Sequence, residues 1–173
     1  MKMHNGRKPL AYVNKSALIV ILIILCSLLF GCSSEKTPRK LNTEDFVKAA
    51  FTMPLEDIKK IMDEEPPGSE QFQHCLDAAV PVFGKYLPDD MPWDENGIFI
   101  DLVITQTRAA DQNRHFKVVS VEITEVSEDN FTYEAVIEES GDPAFRQTVH
   151  GNLQFDENDK INYFTSGGTE VDG

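Results

Sequence analysis

From His115 onward the apolar residues of this chain recur at every second position, and that rhythm limits the C-terminal third to strands. Val119, Val121 and Ile123 share one face, Phe131, Tyr133, Ala135 and Ile137 a second, and Phe145, Val149, Leu153 and Phe155 a third. Glu134, Glu138, Arg146, His150 and Gln154 fall on the opposite faces. Successive side chains of a strand point to opposite sides, so this pattern predicts antiparallel strands with one wet face. Turn chemistry separates them at Ser127–Asn130, Gly141–Pro143 and Asp156–Asp159. Ile161, Tyr163 and Phe164 supply a last strand, and the tail 166–173 holds too little apolar content to pack and is expected to fray.

Upstream the period changes to that of a helix. Phe46, Val47, Ala50 and Phe51 form one face after Asn42, a residue suited to capping, and Leu41 to Phe46 has the spacing of a hydrophobic staple. Met53-Pro54 interrupts before a second segment with Leu55, Ile58, Ile61 and Met62 on one side, which Pro66-Pro67-Gly68 ends. Ser69 opens a third helix along Phe72, Cys75, Leu76, Ala79, Val80, Phe83 and Leu87, with a kink expected near Ala78 because Pro81 follows. Leu87 to Gly97, LPDDMPWDENG, reads as a loop. The run IFIDLVITQT, Ile98 to Thr107, fits either element and is read as a strand buried on both faces. Helices first and strands afterwards predict an α+β domain, N-terminal helices packed on a curved antiparallel sheet.

A different constraint governs the first 32 residues. Lys2, Arg7, Lys8 and Lys15, with no acid among them, precede a run from Ala17 to Phe30 that is apolar except for Ser27. That is an export signal, shorter than the roughly 20 residues a spanning helix needs. Its basic flank keeps the N-terminus cytoplasmic, so the rest faces outward. The run closes on Leu29-Phe30-Gly31-Cys32, which resembles the lipobox of bacterial lipoproteins. Phe30 departs from the small or aliphatic residue usual at its place. The resemblance implies a diacylglycerol on the Cys32 thiol, cleavage between Gly31 and Cys32, and a mature chain beginning at Cys32. The competing reading is an uncleaved anchor with an ordinary thiol at Cys32. Two acyl chains cross the threshold for stable anchoring, since each buried CH2 contributes about 0.8 kcal/mol. The expected organisation is a signal peptide over 1–31, a lipidated cysteine and tether over 32–40, one domain over 41–165 and a disordered tail over 166–173.

All 29 acids lie after Cys32, whereas 12 of the 16 basic residues do, so the expected mature chain carries a net charge of −17. Such a field repels nucleic acid and anionic lipid and favours cationic peptides, polyamines or metal ions; solubility alone is the plainer account. Of three cysteines, Cys26 leaves with the signal and Cys32 takes lipid, so Cys75 has no partner for a disulfide.

The element order over Asn42–Phe164, with the segments Phe131–Glu139 and Phe145–Phe164, is similar to the NTF2-like, cystatin-like superfamily as found in bacterial lipoproteins. That resemblance implies a cone with a pocket between sheet and helices, used by some members for ligands, by a few for acid/base catalysis and by many for neither. The catalytic members place a carboxylate or histidine in an apolar pocket, where desolvation tunes its pKa. Asp101, flanked by Ile100 and Leu102, and His115, before Phe116, are the candidates; a carboxylate at a strand edge facing water is the competing account of Asp101.

Other sites are weighed the same way. His74 beside Cys75 suggests thiolate activation, but neighbours on a helix diverge by about 100°, which favours a buried inert thiol beside a surface histidine. Asp89, Asp90, Asp94, Glu95 and Asn96 gather the oxygen donors Ca2+ prefers without the spacing of an EF-hand, and a solvated acidic loop is the favoured account of them. Trp93 either anchors that loop or offers an aromatic contact to a partner. Glycine-rich phosphate cradles, paired metal-ligand motifs and Ser-His-Asp signatures are absent from the sequence. The residues point to a membrane-tethered binding domain without a cofactor. Its expected partner is another envelope protein or a cationic peptide, met through the sheet face. The alternative is a small-molecule binder or simple acid/base enzyme with Asp101 as base.

Overall fold

The computed structural model describes residues 37–90, 92–140 and 142–171, with side chains at all of these except 142–144 and 168–171. The apolar run, Gly31 and Cys32 lie outside the described residues, as does Gly141 of the second expected turn. Helices α1 (Pro38–Phe51), α2 (Glu56–Glu64), α3 (Ser69–Phe83) and α4 (Gly97–Asp111) precede strands β1 (Phe116–Ser127), β2 (Asn130–Glu139), β3 (Asp142–Phe155) and β4 (Ile161–Val171). The strands pair antiparallel in sequence order, giving the expected α+β architecture of helices packed on a meander. None of the described helices is long and apolar enough to cross a membrane.

The sheet turns one face inward as its alternation requires. Phe131, Tyr133, Ala135 and Ile137 of β2, Val149, Leu153 and Phe155 of β3 and Ile161 of β4 are all buried. Against them α1 sets Phe46, Val47, Ala50 and Phe51, while α3 adds Cys75, Leu76, Ala79 and Phe83. The Phe46 ring is the meeting point, with centroids of Phe83, Tyr86 and Phe164 at 6.3, 5.5 and 5.1 Å in edge-to-face geometry. Such pairs add about 0.5–1.5 kcal/mol each beyond the area they bury.

The strand read over Ile98–Thr107 is instead the middle of α4. Phe99, Leu102, Val103, Gln106, Ala109 and Ala110 are the buried positions, a helical spacing that the crowded apolar run obscures. Asn96 starts the helix, its Oδ1 accepting from the Phe99 N–H at 3.1 Å. The fourth buried position is a glutamine with no exposed surface, and it works as a strut. Its Oε1 accepts from the Leu55 N–H at 2.7 Å and its Nε2 donates to the Ala50 carbonyl at 3.3 Å, so α4 holds the ends of α1 and α2 where they meet. The Met53-Pro54 link between those helices, cis at the proline, also pairs with the start of β1, Met53 N–H to Phe116 carbonyl at 3.1 Å.

Smaller differences have local causes. α1 begins at Pro38, ahead of Asn42, because Thr37 supplies the cap by accepting from the Lys40 N–H, and Pro is well suited to the first helical position. The last residues of the expected tether are therefore helical. α3 starts at Ser69 with Gly68 in the capping position and continues through Pro81 to Phe83; so near the end, a missing N–H costs one hydrogen bond. Val119 does not share a face with Val121: Val118 pairs with Ile137 and Ser120 with Val136, so Val119 is the extra residue of a β-bulge and is 45% exposed. Phe116, Val118, Val121 and Ile123 take the inward positions. The tail from Ser166 continues β4, pairing with β3 as far as Val171 opposite Gln147.

Gln106→Leu removes both polar contacts of the strut while keeping its volume, leaving a donor and an acceptor unpaired. Each unpaired buried group costs about 1–3 kcal/mol, so the domain should lose about 2–6 kcal/mol in urea unfolding.

Candidate functional site

Two surfaces carry chemistry that the core does not use, one where helices meet β4 and one on the outward face of the sheet, and both reach Thr165 and Ser166 of β4. The first is an opening of about 290 Å3 where α1, α4 and β4 meet, with Ala50, Phe51, Leu102 and Phe164 as apolar lining and Asp101, Thr105, Thr165 and Ser166 as polar rim. Asp101 is the one charged group there among the described residues, and it projects from a helix, not from the strand expected of it. Its side chain is exposed, and its backbone carbonyl accepts from the Thr105 hydroxyl at 2.8 Å. His115, the other acid/base candidate, is exposed in a separate cleft beside Pro54, Glu56, Lys60 and Glu64. The two are not brought together, and among the described residues no second titratable group lines the Asp101 opening.

The second surface is the outward face of the sheet. Strand register sets its side chains in rows: Glu122 opposite Glu134 opposite His150, then Thr124 opposite Thr132 opposite Asn152. They line a concavity of about 430 Å3 whose side chains are almost wholly polar. Like charges directly opposite each other on neighbouring strands repel, and beyond Glu134 in the same row His150 Nδ1 lies 3.5 Å from its carboxylate. The row nearer the β2–β3 turn is balanced instead. Lys117 and Arg146 each reach Glu138 at 3.2 Å, and their hydrogen bonds, Lys117's first, hold its carboxyl below the usual range. Beside it Arg114 grips Glu139 through two hydrogen bonds of 3.1 and 2.8 Å and stacks over Phe116 and Phe145.

Tyr133 belongs to the inward face but reaches the edge of this region. Its hydroxyl donates to the Thr165 carbonyl at 3.1 Å, its ring stacks on Phe164 at 5.9 Å, and burial raises its phenol far above the ordinary range. Gly151 makes room for that hydroxyl, since a Cβ there would sit 2.5 Å from it and 1.9 Å from the Thr165 carbonyl.

The loop candidates resolve into structure. Trp93 lies in a short 3-10 turn, half-buried, its ring 5.2 Å from Phe99 and packed over Gly84, which is the anchoring alternative. Asp89, Asp90 and Asp94 are exposed, and among the described residues no group of three or more His, Cys, Asp or Glu side chains is placed to hold a metal ion. Cys75 is fully buried, and burial pushes its thiol up, away from a reactive thiolate. His74 turns outward to Glu65, Nδ1 to Oε2 at 2.8 Å. Comparison with known protein families, with curated proteins and with solved structures found no match.

The His74 and Glu65 contact makes stability depend on pH. Glu65 raises the imidazole above 6.5 in the folded state, first through the hydrogen bond and then through its charge. A raised folded value contributes stability fully below about 6.5 and loses it as pH climbs through that raised value. Thermal midpoints measured between pH 5.5 and 8.5 should fall with rising pH more for the native chain than for His74→Gln.

Proposed function

We propose that this protein is a lipid-anchored lipoprotein on the extracytoplasmic face of the cell membrane, and that its one domain acts by binding a basic peptide or a basic segment of another envelope protein. The observation that carries the binding reading is the outward sheet face, where Glu122 and Glu134 stand opposite each other in a polar concavity. A cationic side chain seated between them would relieve their repulsion, and His150 Nδ1, 3.5 Å from Glu134, marks the open end of the row. Hydroxyl and amide groups of Thr124, Thr132 and Asn152 flank that row and suit hydrogen bonding to a peptide. The net charge of −17 expected for the mature chain draws a basic partner from a distance. The anchor rests on the Leu29–Cys32 lipobox and the basic, then apolar, segment before it.

The opening beside Asp101 favours a second reading. Its apolar lining and single carboxylate fit a small organic cation better than a proton transfer, which would need an acid or base partner that the opening does not provide.

A photo-crosslinking residue at Thr124, compared with one at the exposed Gln73 of α3, tests the main reading in intact cells. A discrete adduct from position 124, absent from 73 and lost in the Glu122→Lys, Glu134→Lys double variant, is expected; equal adducts from both positions would reject the sheet face. Cys32→Ala should move the protein from the membrane fraction to the soluble one. For the second reading, aromatic amines should raise the melting midpoint of the native domain and leave Asp101→Asn unshifted.

A further inference from the structure

The first turn of α1 is locked to one particular end of the sheet. Arg39, the second residue of the helix, donates from Nε to Asp159 Oδ1 at 2.6 Å and from Nη1 to the Glu128 carbonyl at 3.1 Å and to Asp129 Oδ1. Its guanidinium lies 5.7 Å from the Phe155 ring centroid. Asp129 belongs to the β1–β2 turn and Asp159 to the β3–β4 turn, so one side chain ties both turns to the start of the helix. The β1–β2 turn is also joined to the end of β3, the Phe155 N–H donating to the Asp129 carbonyl at 2.9 Å.

Chain length then sets where this end sits. Thr37 caps α1 and Cys32 is the expected point of lipid attachment, so four residues, Ser33 to Lys36, lie between them. Five residue steps span at most about 18 Å even when fully extended. From the turns to Ser140, at the other end of β2, the ten residues of that strand extend about 33 Å. A tether this short cannot let the two ends exchange places freely.

Building on the lipoprotein reading, we infer that the sheet end carrying the Glu128–Asp129 and Glu157–Asp159 turns faces the lipid surface, with Arg39 as the residue that sets this orientation. The β2–β3 turn, His115 and the Met53-Pro54 link face away, toward whatever the domain meets. Glu128 and Glu157 are exposed carboxylates that anionic headgroups repel within a Debye length of about 8–10 Å, so the turns stand off the surface without inserting. The strands then run up from the membrane, and the polar rows of the outward sheet face stack one above another away from it.

The test uses the full chain matured in a bacterial host that lipidates exported proteins, then reconstituted in vesicles of zwitterionic lipid with about one-third anionic lipid and a headgroup-linked quencher. A fluorophore is placed on Glu128→Cys or Glu157→Cys, and in parallel on Gln112→Cys or Ser140→Cys; buried Cys75 does not compete for label while the domain is folded. Quenching at 128 and 157 should exceed that at 112 and 140 at least threefold, and Arg39→Ala should shrink the ratio. Equal quenching, or the reverse order, overturns the orientation. Intact mass of the same samples separates the two readings: a chain beginning at Cys32 with diacylglycerol supports the anchor whatever the quenching order, whereas its absence overturns both.

Discussion

Phe46 has no exposed surface and touches rings from three other parts of the fold, Phe83 of α3, Tyr86 beyond its end and Phe164 of β4. The rest of the architecture depends on that convergence. A four-stranded meander leaves one apolar face without a partner sheet, and burial of that face against helices is the largest favourable contribution available to a chain without a disulfide among its described residues. α1 supplies the cover, and its Phe46, Val47 and Ala50 stripe is the face that fits. The other helices brace α1: α2 and α3 pack on one another and α4 packs on both.

Bracing by polar groups is as specific as bracing by apolar ones. Gln106 fixes the α1–α2 connection from the inside, where an unpaired amide would be costly. Arg39 fixes the start of α1 to the two turns from the outside, where each ion pair alone would count for little but a shared cation, a backbone carbonyl and an aromatic ring act on one side chain together. The β-bulge at Val119 and a second register shift near Val126 disturb the pairing of the edge strand, which blunts its tendency to add further strands. That leaves the outward sheet face, with its row of Glu122, Glu134 and His150, as an open polar surface.

The candidate sites were legible to different degrees. Cys75 and His74 diverge as neighbours on a helix must, and the structure adds only that Glu65 is the partner the histidine finds. Asp101 was legible as a carboxylate among apolar residues, but its place was not. In IFIDLVITQT the apolar residues are too dense for period two and period 3.6 to be told apart, and Asn96, which caps the helix, sits in a loop rich enough in Pro, Asp and Gly to hide the signal. Gln106 is hidden for the same reason: only when the segment is helical does its spacing from Phe99, Leu102 and Val103 place it inside. The Glu122 and Glu134 pairing needs strand register, which the bulge at Val119 shifts by one residue.

What the sequence determined by itself was what is written in local periodicity: helices before strands, the inward faces of β2 and β3, and the turns between strands. Those follow from the fixed geometry of helix and strand, and none of them needs a distant residue. Tertiary structure alone decided that Ile98–Thr107 is helical, that Arg39 joins two turns separated from it by 90 and 120 residues, and that the chain from Ser166 to Val171 pairs as strand. Each of those choices depends on a contact between residues far apart in the chain, and local propensity, weak beside packing, cannot select among them.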